Sequence, residues 1–259
     1  MNVNISVAII TKNEVDNIGK CLEAAWKVAD EIIIIDSFST DGTQQLAQSL
    51  GARVIEHSFA GHIQQKNVAI DKAIYDHILA LDADEVLSDQ LIQSILAVKK
   101  KFTADAYKMN RLNNYCGQWI RHSGWYPDQK IRLFDRKKAK WGGENPHDSI
   151  ILSPNSSLQH LEGDLLHYSY YSISDHVSRI NSYTTIMAKS AFEKKKKATL
   201  LKIITRPNFK FFKCYFLKLG FLDGYYGFII AVLGAYYNFL KYVKLRDLWK
   251  NTRTNNEKL

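Results

Sequence analysis

Apolar runs and polar breaks alternate through the first hundred residues with the rhythm of an α/β protein. Residues 3–10 turn from mixed to fully apolar, and residues 31–35, Glu-Ile-Ile-Ile-Ile, are a buried-strand run ending in Asp36. Arg53-Val54-Ile55-Glu56 and Ile78–Leu81 give two further strands. Between them, Ile18, Leu22, Trp26 and Ala29 recur at helical spacing, with Asn13 as the expected cap. Ser39-Thr40-Asp41-Gly42-Thr43 opens a helix that stops at Gly51, and a third helix is expected around Ile63–Tyr75. Four strands joined by three helices predict a parallel sheet with right-handed crossovers.

Leu79-Ala80-Leu81-Asp82-Ala83-Asp84-Glu85 is where this half ends, an apolar run closing in three carboxylates. Open α/β sheets bind ligands beyond such strand ends. Asp82 and Asp84 can converge there on a hard cation shared with substrate phosphates, or serve as an acidic turn before the helix that Ser88 caps. Asp36, at a neighbouring strand end, can accept a hydrogen bond from a base or ribose, or cap the next turn. Neither G-x-G-x-x-G nor a phosphate-binding G-x-x-x-x-G-K-[ST] loop follows the first strand, which argues against a dinucleotide cofactor.

After residue 102 the pattern becomes aromatic, polar and strand-rich, with strands expected near 106–109, 115–120 and 130–134. Gly124-Trp125-Tyr126-Pro127-Asp128 reads as a loop whose rings either stack on a sugar or pack inward, and residues 141–150 as a second loop. From Ser174 the chain reads as helical, with Pro207 breaking the pattern. Residues 219–240 contain a single ionisable acid, Asp223, and no basic residue; their four tyrosines and four glycines favour helices lying on a membrane over one crossing it.

Charge sharpens the division. The chain of 259 residues carries +9, but residues 186–259 hold 16 Lys/Arg against 4 Asp/Glu, while residues 1–185 hold 19 against 22. A near-neutral body with a basic tail suits a polyanionic partner, either membrane or nucleic acid. Cys21, Cys116 and Cys214 lack metal-ligand spacing and read as reduced thiols, and residues 1–10 lack a leader pattern, so a cytoplasmic protein is expected.

Thr11-Lys12-Asn13-Glu14, Asp36 to Thr43, Gln65-Lys66-Asn67 and Asp82-Ala83-Asp84-Glu85 resemble, in order and spacing, the nucleotide-sugar half of glycosyltransferase family 2. Gly124 to Asp128, Arg132-Leu133-Phe134, His147-Asp148 and Gly220-Phe221-Leu222-Asp223-Gly224 resemble the bacterial lipopolysaccharide core glucosyltransferase group within it. The resemblance implies a GT-A fold: α/β, Rossmann-like, a mostly parallel mixed sheet flanked by helices, here with a basic, amphipathic C-terminal helical extension. Residues 1–173 would form the GT-A domain (1–102 the nucleotide-sugar half, 103–173 the acceptor half), and 174–259 a membrane-associating extension. The implied activity is inverting transfer from a UDP-sugar to a lipid-linked or lipopolysaccharide-core glycan, assisted by Mg²⁺ or Mn²⁺, at the cytosolic face of the membrane and without nucleic acid as partner.

By the same resemblance Thr11, Asn13 and Glu14 line the nucleotide pocket, Asp36 holds the uracil, and Lys66 sits near the base or diphosphate. Asp82 contacts ribose or metal, and Asp84, the second acid of a D-x-D motif, binds the metal. Asp148 is the implied base, with Glu144 its competitor, and Trp125, Tyr126 and Asp128 face the acceptor. Two other classes compete. A nucleotidyltransferase also uses strand-tip acids and metal, but typically carries a Gly-rich loop after the first strand. A nucleic-acid-binding protein would use the basic tail but leave the acids at 36, 82, 84 and 148 without a role.

Overall fold

A computed structural model describes residues 2–144 and 147–256, with side chains over the same range except at 144, 147 and 253–256. Two compact units emerge, one of residues 1–112 and 127–168, the other of 113–126 and 169–259.

In the first unit, β1 (Ile5–Thr11), β2 (Glu31–Asp36), β3 (Arg53–Glu56) and β4 (His77–Asp82) are parallel, joined by α1 (Val15–Ala25), α2 (Thr43–Ser49) and α3 (His62–Lys72). The sheet runs β3-β2-β1-β4 and continues into β8 (Asp128–Asp135), β6 (Ala106–Tyr115), β11 (Leu158–Tyr170) and β5 (Glu85–Leu87). It turns mixed at β4, where β8 joins antiparallel. β1 and β2 are buried along almost their whole length, as continuous apolar runs require of strands covered on both faces. One core layer holds Ile18, Leu22, Ile34 and Leu81 with α4 (Asp89–Lys100), and the opposite layer holds Ile33, Ile35, Ala69 and Phe134.

Register places the functional edge. Thr11 pairs with Asp36 and Ile10 with Asp82, so the ends of β1, β2 and β4 lie at one level of the sheet. The tip after β4 is held from behind by β5, whose Glu85 pairs with His167 on β11. There β11 also passes close to α4. Gly163 adopts φ +98°, and a Cβ on it would meet the Leu91 backbone nitrogen at 2.3 Å. Gly163→Ala should therefore cost about 2–3 kcal/mol through overpacking and left-handed strain, read from the urea midpoint at unchanged m.

Ser88 caps α4 as expected, its Oγ accepting from Leu91 N at 3.3 Å. Asn13 does not cap α1. It lies at φ 55°, and its Oδ1 instead accepts from Thr40 N at 2.9 Å, so the side chain is committed to the loop after β2. The described residues of 141–150 are not a loop either. β9 (Ala139–Glu144) and β10 (His147–Leu152) pair as an antiparallel hairpin, Trp141 opposite Ile150, and both rings and branches bury against the sheet.

In the second unit β7 (Gln118–Ile120) pairs with residues 113–115 of β6. Three helices follow, α5 (Ile173–Glu193), α6 (Leu200–Phe212) and α7 (Gly224–Asn256), with a π turn at Lys213–Leu217 and a 3-10 turn at Gly220–Asp223 between the last two. Pro207 does not break α6. The helix continues through it, and Thr205 and Asn208 side chains donate to the carbonyls of Leu201 and Ile204 in the turn that the proline loosens. The stretch Gly220–Thr252 is long and apolar enough to cross a membrane by length and composition, and little of its apolar part is buried.

Candidate active site

The loops after β1 and β2 are interlocked. Thr11 Oγ1 donates to Asp36 Oδ2 at 2.7 Å, Lys12 Nζ donates to the carbonyls of Ser37 and Phe38, and Glu14 N donates to Thr43 Oγ1 at 2.8 Å. Asp36 is fully buried and also accepts from Ser39 N, Ser39 Oγ and Gln44 Nε2. Burial alone would push its carboxyl up, but the bonds from Ser39, Thr11 and Gln44 outweigh it and hold the group below the usual carboxylate range. With both oxygens doubly engaged, a base N–H could reach Asp36 only by displacing Ser39 or Gln44.

α3 contributes three consecutive side chains in three directions, because successive helical residues are 100° apart. Gln65, fully buried, donates to Ser37 Oγ and to the His57 carbonyl. Asn67 makes a two-way bond with the Trp141 backbone at 3.1 Å each way, fastening the β9 strand to the helix. Lys66 lies between them and over the Trp141 ring, 4.3 Å from its centroid.

Lys66 is the hinge of the site. Its Nζ is 2.8 Å from Asp82 Oδ1 and 2.8 Å from Asp148 Oδ2. A strand-tip acid and a hairpin acid distant in sequence thus share one ammonium. The chain of charges continues inward: Asp82 Oδ2 meets Arg132 at 2.8 Å, Arg132 meets Glu85 at 2.6 Å, Glu85 meets Arg111 at 3.3 Å, and Arg111 meets Asp128 at 2.7 Å. Burial opposes ionisation of Asp82, but Arg132 and then Lys66 overcome it and hold its carboxyl far below the usual range. Asp128 is held low in the same way by Arg111 and Lys130 against its own burial. Glu85 is fully buried and accepts from the Asp82 backbone N as well, so it braces the tip from beneath.

Asp84 points elsewhere, with Oδ2 at 3.2 Å from His167 Nε2. Tyr168 N donates to the Asp84 carbonyl at 3.0 Å, fixing that neighbourhood. Among the described residues no cluster of three or more His, Cys, Asp or Glu could by itself hold a metal. The Asp84 carboxylate nevertheless fits Mg²⁺ or Mn²⁺, ions that typically use few protein ligands and take the rest from phosphate and water, whereas an imidazole beside it suits Mn²⁺ better than Mg²⁺. Asp82 fits that role less well, since both its oxygens are paired.

The family profile of glycosyl transferase family 2 matches residues 6–154, more than half of the chain. This chain belongs to glycosyltransferase family 2. An uncharacterized glycosyltransferase of Rickettsia typhi is 32% identical over 96% of this chain and 89% of its own length. The lipopolysaccharide core biosynthesis glycosyltransferase LpsC of Rhizobium meliloti is 29% identical over 93% of this chain and 91% of its own. Among solved structures, the mannosyltransferase PcManGT of Pyrobaculum calidifontis, in complex with GDP-Man and Mn²⁺, superposes with a TM-score of 0.58 over 96% of this chain and 88% of that one, at 14% identity. The glycosyltransferase has the GT-A architecture anticipated from its strand tips: a mostly parallel mixed sheet flanked by helices, with a long helical C-terminal part.

Within this glycosyltransferase the first unit brings together Thr11, Asn13, Glu14 and Asp36 as one wall, and Lys66, Asp82 and Asp148 as one triplet. Glu144 closes β9, and its side chain lies outside the described residues. Trp125 and Tyr126 belong to the second unit. Trp125 is half-buried against Tyr115, Tyr170 and His176, with ring centroids 5.7–6.1 Å away, so packing occupies most of its faces. Tyr126 lies beneath Arg121, 5.6 Å from its guanidinium carbon. Their loop is pinned by buried Asp223, which accepts from Arg121 N, His122 N and His122 Nδ1 at 2.9–3.1 Å.

Three participants have no role assigned by the sequence, although Arg132 stands in the Arg132-Leu133-Phe134 motif. Arg132 and Arg111 stand in strands whose alternation offers no sign that a cation faces inward. His167 is one of several scattered histidines, and only the pairing of β11 with β5 puts it beside Asp84. His176 illustrates the opposite outcome. It is buried, bonded to the Tyr115 hydroxyl at 3.0 Å, and pushed down to about 4 by burial, so it is a neutral packing residue.

Proposed function

We propose that this enzyme transfers a sugar from a UDP-sugar to a hydroxyl of a lipid-linked or lipopolysaccharide-core glycan, with inversion at the anomeric carbon, at the cytosolic face of the membrane. One observation carries the reading: Lys66 reaches Asp82 at the nucleotide edge and Asp148 on the hairpin at the same 2.8 Å. A leaving-group anchor and a base candidate are therefore within one side chain of each other. The name of LpsC supports the acceptor class, and the ligands of PcManGT support a nucleotide-sugar donor with a divalent ion.

In this reading Thr11, Asn13, Glu14 and the loop organised by Asp36 form the nucleoside wall. Asp148 takes the acceptor hydroxyl proton while that oxygen bonds to the anomeric carbon and the sugar–phosphate bond breaks. Lys66 and the inner Arg132 put positive charge beside the departing diphosphate, whose charge grows as the bond breaks. Arg132 Nε, buried and without a hydrogen-bond partner among the described residues, is a further donor at this edge. A single base suffices for one in-line displacement, and no second carboxylate is needed as nucleophile. Mg²⁺ or Mn²⁺ held by Asp84, with His167 as a further ligand if the ion is Mn²⁺, would supply further charge neutralisation at the diphosphate when bound. Asp128 is the acceptor candidate of the first unit, and Trp125 and Tyr126 are the acceptor candidates of the second.

The test is a screen of UDP- and GDP-sugars for turnover, with product anomericity read by NMR. Turnover of no UDP-sugar, or retention at the anomeric carbon, would overturn the reading. The metal assignment is tested separately. Asp84→Asn should abolish the Mn²⁺ stimulation of turnover, and His167→Gln should shift the Mn²⁺ titration to higher concentration at unchanged fold. Wild-type titrations in both variants would remove this pair from the metal site.

A further inference from the structure

The junction between α5 and α6 builds a cationic pocket that the transfer reaction does not use. Lys197, Ala198, Arg246, Trp249 and Lys250 enclose about 250 Å³. Among the described residues three cations line it and no acid does. Its floor is fixed: Trp249 packs at a tilt against Phe192 with centroids 4.7 Å apart, and its Nε1 donates to the Lys196 carbonyl at 2.8 Å. Lys244, one turn earlier on α7, ties that helix to α5 through Asn181, Thr184 and Thr185 at 2.7–2.9 Å. Arg246 is half-buried at the wall and has neither ion pair nor hydrogen bond among the described residues. A guanidinium without a protein partner, lining a pocket with two lysines, calls for an anion with several acceptor oxygens, and phosphate matches its fork.

The surroundings select the source of that phosphate. Just past Ala198, α6 exposes Leu200, Leu201 and Ile204 at 61%, 70% and 62%. Residues 194–222 carry nine Lys/Arg and no Asp/Glu. Apolar side chains beside a cationic pocket, on a surface where Lys and Arg far outnumber the flanking Glu193 and Asp247, match a bilayer interface: acyl chains receive the leucines and the headgroup region receives the cations.

We propose that this pocket binds the headgroup phosphate of an anionic phospholipid and so fixes how the second unit seats on the bilayer. The proposal rests on the membrane placement given above and is independent of the donor or of stereochemistry.

The test is sedimentation of the full chain with phosphatidylglycerol/phosphatidylcholine vesicles and with phosphatidylcholine alone. Arg246→Gln/Lys197→Gln is compared with Lys195→Gln/Lys196→Gln, a pair of equal charge from the same lysine run. Diffuse attraction costs the control about fivefold in partitioning per charge removed. The pocket pair should lose about tenfold more than the control, because a charged hydrogen bond is removed as well. Vesicles containing phosphatidylglycerol should also perturb tryptophan emission in the wild type and much less in Trp249→Phe. Equal losses in the two double variants would overturn the pocket while leaving membrane binding standing. Failure of the wild type to sediment with either vesicle would overturn both, and binding of soluble glycerol phosphate with no preference for vesicles would overturn the lipid assignment. Donor turnover, measured in detergent, reports on the transferase reading separately.

Discussion

Asp148→Asn should lower kcat by about 10²–10⁴-fold, the range that general-base assistance supplies, while leaving the KM for the nucleotide sugar near its wild-type value. The amide keeps the shape of the side chain and can still meet Lys66 as an acceptor, but it cannot take a proton. Asp148 lies on a hairpin anchored by Trp141 and Ile150, so the variant should melt like the wild type. The measurement is steady-state kinetics with saturating acceptor, paired with donor-binding calorimetry. Wild-type kcat would remove Asp148 from the reaction. A low kcat in Glu144→Gln instead would move the base to that residue.

Arg132→Met should destabilise the first unit by about 3 kcal/mol, the low end for breaking a buried pair, because Asp82 and Glu85 lose their shared cation while Lys66 still meets Asp82 and Arg111 still meets Glu85. Arg132 itself is 3% exposed and Glu85 is 0% exposed, so solvent cannot replace the lost partner. Burial works against the Arg132 charge, but Glu85 and Asp82 more than compensate and hold the guanidinium firmly protonated. The pH dependence has a definite sign. The Asp82 carboxyl is depressed in the folded state, so its contribution is present above its unfolded pKa of about 3.9 and is lost as pH falls below it. The gap between wild type and variant should therefore be widest near neutrality and narrow in acid. Urea unfolding at several pH values measures this, and the double variant Arg132→Met/Glu85→Gln should recover part of the loss, since the two residues touch. A gap that does not change with pH would show that packing, not charge, sets the cost.

The parallel half of the fold was legible because its strands are short, continuous apolar runs that stop at acids. The end of Ile32-Ile33-Ile34-Ile35 in Asp36 announces both a strand buried on two faces and its functional tip. Parallel pairing then forces neighbouring tips to one level, which groups Thr11, Asp36 and Asp82 from the sequence alone. The later strands gave weaker signals. Along β11 the buried positions Leu161, Leu165 and Ser169 recur every fourth residue, closer to a helical period than to the alternation of a strand, and no strand was anticipated there. His167 went unrecognised with it. Gly142, Gly143 and Pro146 are turn-forming residues and give the hairpin of β9 and β10 the sequence pattern of a loop, yet close packing explains one of those glycines. A Cβ on Gly142 would lie 2.7 Å from Ile151. Asn13 was assigned a cap from its type, but a side chain that can bond locally can equally bond a neighbouring loop.

The three adjacent side chains of α3 have a consequence for how this gene can change. Gln65 serves the nucleoside loop, Lys66 the two acids, and Asn67 the hairpin. Point substitutions on the exposed face of the helix leave that division untouched. A single-codon insertion or deletion ahead of Gln65 would turn all three through 100° at once and hand each task to the wrong neighbour. Length variation among descendants of this gene should therefore collect in the turns on either side of α3, with none inside it.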